Sequence, residues 1–196
     1  IRLTVWIGIM CGWLAAGMLQ AGTRPDNVRP AEEDGSRLWL PVMRPVEGAE
    51  VEVIYKGKVS PTIAIAIAEL KNAWKGDPVL LEKKKTGRGD GFAITSSEHQ
   101  VRILSSTETG LLYGAYNLLR MQAVGQLTVP LSVTEQPAYD LRILNHWDNP
   151  DGTVERGYAG RSLWNWEELP GTLSPRYEAY ARANASVGIN GTVLNN

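Results

Sequence analysis

The chain has 196 residues, 43% hydrophobic and 21% charged, with a formal net charge of −1. It is long enough for one large domain or one small domain plus part of another, and too apolar for a disordered chain. A charge so near zero offers no global field to draw nucleic acid or an anionic membrane surface. Tryptophan and tyrosine each occur seven times but phenylalanine once. Aromatics with a polar edge suit surfaces that are both apolar and hydrogen-bonding, as sugar sites are.

The first segment, LTVWIGIMCGWLAAGMLQA, is apolar, follows Arg2 and ends in small residues at Ala21. It reads as a secretory signal peptide over residues 1–21, which predicts a secreted or periplasmic protein with no membrane attachment after cleavage. A spanning anchor needs about 20 clean apolar residues. A lipoprotein site at Cys11 is the weaker alternative, because Gly8-Ile9-Met10 is not the usual box before it. Cys11 is the single cysteine, so a mature chain would carry no disulfide.

Residues 22–36, polar and proline-bearing, read as a linker. RLWLPV and EVEVIYKG then pattern as strands. Ser60-Pro61 is a helix entry, and Ile63, Ile67, Leu70 and Trp74 make one helical stripe that runs out at Gly76. IAIAIA also alternates as a strand would, but the cap and the following LKNAW favour the helix. PVLLEKK reads as a strand, GRGD as a turn, and GFAITSS with QVRILSS as a strand pair. Thr107 or Thr109 can cap a second helix striped by Leu111, Ala115, Leu118 and Leu119 and stopped by Gly125. LTVPLSV closes the series as a strand. Residues 37–137 are therefore predicted to form a two-layer α/β domain, a mixed sheet with helices packed on one face.

YDLRILNHW reads as a strand whose far end carries His146, Trp147 and Asp148. A long loop without helical or strand period follows, then a helix from Ser174-Pro175 to Val187 ended by Gly188, then the strand GTVLNN. Strand, loop, helix and strand over residues 138–196 are the first βα unit of an α/β barrel or open sheet left incomplete. An isolated unit of this kind exposes an apolar edge and helix face, which predicts that residues 139–196 are unstable alone.

Residues 145–166, NHWDNPDGTVERGYAGRSLWNW, hold three of the seven tryptophans beside Asp, Glu and Arg. Loops longer than about 12–15 residues with no structure of their own are usually functional or disordered, and this one is too aromatic for disorder. A Trp ring offers an apolar face to sugar C–H groups, and Arg156 or Arg161 could clamp a carboxylate in two parallel bonds. Asp148 and Glu155 could accept from sugar hydroxyls or hold the arginines. Structural readings stand beside these: Trp147 as a barrel plug, Trp164 and Trp166 as cover for the helix, Glu155, Arg156 and Arg161 as a bracing ion network. His146 reads first as a structural histidine. Two histidines and one cysteine give no zinc spacing, GRGDG is no dinucleotide loop, and ETGLLYG lacks the serine of a nucleophile elbow.

LNHWDNPDGTVERGYAGRSLWNWEELP followed by YARANASVGINGTVLNN closely resembles the α-glucuronidases of glycoside hydrolase family 67, and LWLPV and GLLYGAYNLLR resemble that family upstream. The resemblance implies an N-terminal α/β domain joined to a (β/α)8 barrel. It also implies removal of α-1,2-linked (4-O-methyl)glucuronic acid from xylo-oligosaccharides, with inversion and without cofactor or metal. An inverting acid and base stand ~6.5–9.5 Å apart; in the family they lie on later strands, so no residue here is given either role and the chain alone is expected to be inactive. The first barrel loop helps to build the uronic-acid pocket, which points to Trp164 as an apolar wall, then Glu155, Arg156 and Arg161 as polar lining or braces, then Trp147 and Asp148. A homodimer is open for the full-length protein. A non-catalytic carbohydrate-binding module, an adaptor domain and a hexosaminidase-like barrel glycosidase are the rival readings.

Overall fold

The computed structural model describes Leu40 and residues 51–194. The chain divides into two compact units, residues 1–34 and 35–196, and every described residue belongs to the second. The segments read as a signal peptide and a linker, and most of the expected RLWLPV strand, lie outside the described residues.

Five strands form one mixed sheet in the order β1-β2-β4-β3-β5: β1 Val53–Tyr55, β2 Val79–Lys83, β3 Phe92–Ser97, β4 Gln100–Ser105 and β5 Ser132–Glu135. β1, β2 and β4 run parallel; β3 and β4 form the antiparallel hairpin expected from GFAITSS and QVRILSS, and β5 adds antiparallel to β3. Alternate residues Val79, Leu81, Phe92, Ile94, Val101 and Ile103 are buried, and the residues between them only half so. One face therefore carries the helices, as period-two patterning requires. The last strand starts later than LTVPLSV suggests: Pro130 has no N–H to give a ladder, and pairing begins at Ser132.

Helix α1 (Pro61–Ala73) starts where Ser60 accepts the Ile63 N–H, with Pro61 in the first turn. It buries Ile63, Ala66, Leu70 and Ala73, and the chain leaves it extended at Trp74. Helix α2 (Glu108–Ala123) is capped by Thr107, whose hydroxyl accepts the Gly110 N–H at 3.0 Å. Ser60 also donates to Glu108 in the first turn of α2, at 2.5 Å, so one hydroxyl fastens the starts of both helices. Helix α2 presses hard on the sheet. A Cβ at Gly114 would lie 2.4 Å from an Ile103 methyl, and one at Gly110 would meet the Ser105 hydroxyl at 2.0 Å and the Asp90 carbonyl at 2.9 Å.

The remainder is a βαβ unit: β6 Ile143–Asn145, α3 Pro175–Ser186 and β7 Gly191–Val193, with β6 and β7 parallel. β6 is shorter than YDLRILNHW suggests, because a two-stranded ribbon pairs only opposite Gly191–Val193. Ser174 caps α3 and Gly188, at φ +78°, ends it. The unit is seated on the first sheet layer. Arg142, just before β6, meets Asp90 at 2.6 Å and caps α3 through the Gly188 carbonyl. Arg182 on α3 reaches Glu69 on α1. An α/β architecture with a mixed sheet is therefore the fold of the described residues, and β6–α3–β7 is its second sheet-forming part.

Candidate functional site

The long loop leaves the C-terminal end of β6. His146 turns toward α3, its Nε2 2.5 Å from the Tyr180 hydroxyl, while Trp147 turns away and is 51% exposed. Asp148 is 3% exposed; its Oδ1 stands 3.6 Å from His146 Nδ1 and its Oδ2 accepts from the Ser162 hydroxyl. Ser162 Oγ in turn accepts the Trp164 N–H at 2.9 Å. A buried carboxylate thus joins the start of the loop to its end, which is what a desolvated charge needs in order to persist.

Between those points the loop folds back on itself. Asp148 bridges Val154 and Thr153 bridges Arg161. Asp151 accepts both the hydroxyl and the N–H of Thr153, at 2.7 and 2.9 Å, and those bonds hold its carboxyl below the ordinary aspartate value. Glu155 sits at φ +54°, the sole non-glycine in the left-handed region among the described residues, a geometry that costs about 1–3 kcal/mol and persists only where the surroundings hold it. Two bonds hold it here: its N–H donates to the Trp147 carbonyl at 2.7 Å, and Asn149 Nδ2 donates to its carbonyl at 2.6 Å.

Two concavities result, and they share no residue. The inner one is a cleft of about 740 Å3 between α3, β7 and the first sheet layer, lined by Trp164, Tyr177, Tyr180 and Asn184, with Asp90 and Tyr113 opposite. Trp164 is 7% exposed, and its ring packs against Tyr177, Tyr180 and His146 with centroids 5.0, 5.2 and 5.6 Å away. Its Nε1 is buried without a partner, so whatever Trp164 offers a ligand is ring surface. The outer one is a depression of about 400 Å3 lined by Trp147, Asn149, Glu155, Arg156 and Tyr158.

The structure therefore separates the six residues singled out from sequence. Trp147, Glu155 and Arg156 meet around the outer depression. Asp148 and Trp164 belong to the inner hydrogen-bonded and aromatic cluster. Arg161 stands exposed on the loop, its charge acting on Asp151. Sequence reasoning passed over Asn149 and Tyr158 in the loop, and Tyr177 and Tyr180 on α3. The two tyrosines three apart lie on one helical face, which was a usable signal. Tyr158, between Gly157 and Gly160, was a large ring in a stretch that forms no core, which was another. Among the described residues no group of three His, Cys, Asp or Glu side chains is placed to hold a metal ion. None of the described helices is long and apolar enough to cross a membrane.

Residues 121–196, which include the whole loop, match the model described as "Glycosyl hydrolase family 67 middle domain". Curated relatives agree. "Probable alpha-glucuronidase A" of Aspergillus clavatus is 42% identical over 108 residues, 55% of this chain and 13% of that protein. The protein of the same name from Neosartorya fischeri is 44% identical over 108 residues, with the same shares of each chain. "Alpha-glucuronidase A" of Aspergillus tubingensis is 40% identical over 107 residues, again 55% of this chain and 13% of the relative. On these matches residues 121–196 are similar to the family 67 middle domain, and just over half of the chain is similar to these alpha-glucuronidases. It spans about 13% of the length of the curated relatives it matches. A solved structure titled "GH138 enzyme targeting pectin rhamnogalacturonan II" overlays with a TM-score of 0.42 at 18% identity, covering 51% of this chain and 17% of that one.

Proposed function

We propose that this chain is part of an exported, xylan-degrading α-glucuronidase that hydrolyses α-1,2-linked (4-O-methyl)glucuronic acid from xylo-oligosaccharides with inversion. Residues 37–137 are read as its N-terminal α/β domain, and residues 138–196 as the first βα unit of its (β/α)8 barrel. What supports the barrel is the parallel pairing of β6 with β7 through α3, with the long loop on the C-terminal end of β6, where barrels of this class carry their sites. The open side of that strand pair shows Ile143, Trp147 and Val193 at 45, 51 and 41% exposure, as lumen-facing positions would when seen without the other strands.

The observation that carries the reading is that the match to the family 67 middle domain runs through the loop itself. Trp164, Glu155, Arg156, Arg161, Trp147 and Asp148 are read as the first loop's share of the uronic-acid site. Trp147 and Trp164 provide rings, Glu155 and Arg156 line the outer depression, and Asp148 and Arg161 brace the loop. The acid and base are given to no residue of this chain, and the chain by itself is read as inactive. The test is to express the reading frame continued past Asn196 and assay methylglucuronosyl xylotriose. Release of the free uronic acid, first as the inverted anomer by proton NMR, is expected. Intact substrate, or a product of retained configuration, overturns the reading.

A further inference from the structure

The inner cleft has hydrogen-bonding capacity that the fold leaves unused. It runs along the seam where α3 and the start of β7 meet α2, and Trp164 is the single residue of the long loop in its lining. Most polar groups there are committed: the Tyr180 hydroxyl to His146 and Thr192, the Tyr177 hydroxyl to Asn165 and Glu168. Asn184, one and two turns beyond these tyrosines on the same face of α3, is not. Its backbone carbonyl accepts the Val187 and Ile189 N–H groups, but its side-chain amide finds no partner among the described residues although Asn184 is 6% exposed. The Thr109 hydroxyl, which lines the cleft from α2, is likewise unbonded. A buried amide without a partner is destabilising and calls for one. Charge is absent by contrast. The lining holds no Lys or Arg, and its two carboxylates are already matched, Asp90 to Arg142 at 2.6 Å and Asp140 to Arg88 at 3.8 Å.

We infer that the inner cleft is a binding site for an uncharged sugar ring, with Asn184 on α3 and Thr109 on α2 bonding its hydroxyls and the half-buried Tyr180 giving it apolar surface. A side-chain amide carries donor and acceptor together and so matches a pair of neighbouring hydroxyls, and a tyrosine ring suits the C–H surface of a pyranose. The other ligand classes fit worse. A hydrocarbon would leave Asn184 unpaired, an anion would meet no cation, and a cation would meet no free carboxylate. At about 740 Å3 the cleft also has the size of a small-molecule site. A ligand there touches α2 and α3 at once, so its binding strengthens the seam that Arg142–Asp90 and Arg182–Glu69 already hold. The inference stands on the cleft lining alone: it needs neither a uronate nor the α-glucuronidase reading, and either can fail without the other.

The test titrates the 196-residue chain with xylotriose as the neutral probe and with glucuronate as the charged comparator. The side-chain NH2 signals of Asn184 are followed by proton–nitrogen NMR and assigned by their loss in Asn184→Leu. Xylotriose is expected to shift those signals saturably and to raise Tm, and glucuronate to do neither. Asn184→Leu should weaken xylotriose binding by about tenfold, and Thr109→Val by about threefold, as neutral hydrogen bonds are lost. Stability should move the other way: Asn184→Leu removes an amide that has no protein partner, so its Tm without ligand is expected at or above that of the parent. This combination separates a ligand-binding amide from a structural one. Asn184 signals unmoved by xylotriose up to its solubility limit overturn the proposal and leave water as the sole occupant. Binding of glucuronate as tight as that of xylotriose also overturns it, as does xylotriose binding at parental strength in both variants. Should Asn184→Leu fail to fold, the parent titration and Thr109→Val decide the matter.

Discussion

Arg182 on α3 and Glu69 on α1 meet in two parallel hydrogen bonds, Nε to Oε1 at 2.5 Å and Nη2 to Oε2 at 2.8 Å. A further prong, Nη1, reaches the Leu40 carbonyl at 2.6 Å, and the guanidinium lies 5.9 Å from the Tyr116 ring centre. The Tyr116 hydroxyl donates to Glu69 at 3.2 Å, and burial together with that carboxylate pushes its phenol well above the ordinary tyrosine value. Exposure of the two ionic side chains is only 19 and 15%. This pair, with Arg142–Asp90, fastens the βαβ unit to the first sheet layer.

Removing one partner leaves a largely desolvated charge, which costs about 3–5 kcal/mol when fully buried and less where water still reaches it. Glu69→Ala is therefore expected to lower unfolding free energy by about 2 kcal/mol, read from denaturant midpoints. Limited proteolysis should then cut residues 139–194 before residues 51–135. Replacing both partners with apolar residues of similar size should recover part of the loss. Equal resistance of wild type and Glu69→Ala contradicts the fastening role.

Gly110→Ala is predicted to destabilise the fold. Its methyl would press on the Asp90 and Gly91 carbonyls at 2.9 and 3.0 Å, backbone that cannot swing aside, as well as on the Ser105 hydroxyl. Overpacking of this kind costs about 1–3 kcal/mol. Thermal melting of the variant should show a clear fall in Tm, against a gain expected from alanine's better helix propensity if the space were open.

Asp148→Ala should loosen the inner cluster. The carboxylate accepts from Ser162, and Ser162 holds the Trp164 N–H, so its loss leaves the half-buried Ser162 donor without its partner. An unmade buried bond to a charged group costs about 1–3 kcal/mol. Besides the drop in stability, red-shifted tryptophan emission is expected as Trp164 gains water. Unchanged emission would show that the packing of Tyr177 and Tyr180 holds Trp164 alone.

The Tyr158 phenol should titrate above an ordinary tyrosine. The Glu155 carboxylate stabilises the protonated hydroxyl by hydrogen bonding and disfavours a phenolate by its charge, so both effects raise the pKa. Difference absorbance of the tyrosinate band, compared with Tyr158→Phe, isolates this group. Glu155→Gln should return its midpoint toward the ordinary value. A midpoint unmoved by that change removes Glu155 from the rim of the depression.

Local signals were legible in the sequence where the cause was local. Ser60, Thr107 and Ser174 are side-chain caps, Gly188 is a left-handed helix end, and the GFAITSS–QVRILSS pair is joined by a short turn, so each could be read within a few residues. The shortening of β5 also had a local cause in Pro130. What escaped was set by partners far along the chain. Nothing beside Arg142 or Arg182 in sequence marks Asp90 or Glu69 as its partner. The loop's separation into two concavities depends on Asp148 reaching Ser162 and on Glu155 turning left-handed, and neither follows from spacing. Hence the loop's aromatic and charged residues could be singled out in advance, while the grouping of Trp147 with Arg156 and Tyr158, away from Trp164, could not.

The most direct test of the central claim, that the loop between β6 and α3 holds a glucuronosyl residue, is kcat/KM for uronic acid release by the continued reading frame, measured with Trp147→Ala and Arg156→Gln beside the parent. The account predicts release by the parent and a fall of at least about tenfold in each variant, carried mainly by KM, with xylotriose unable to inhibit as well as the acidic ligand. Release at parental efficiency from both variants would contradict it.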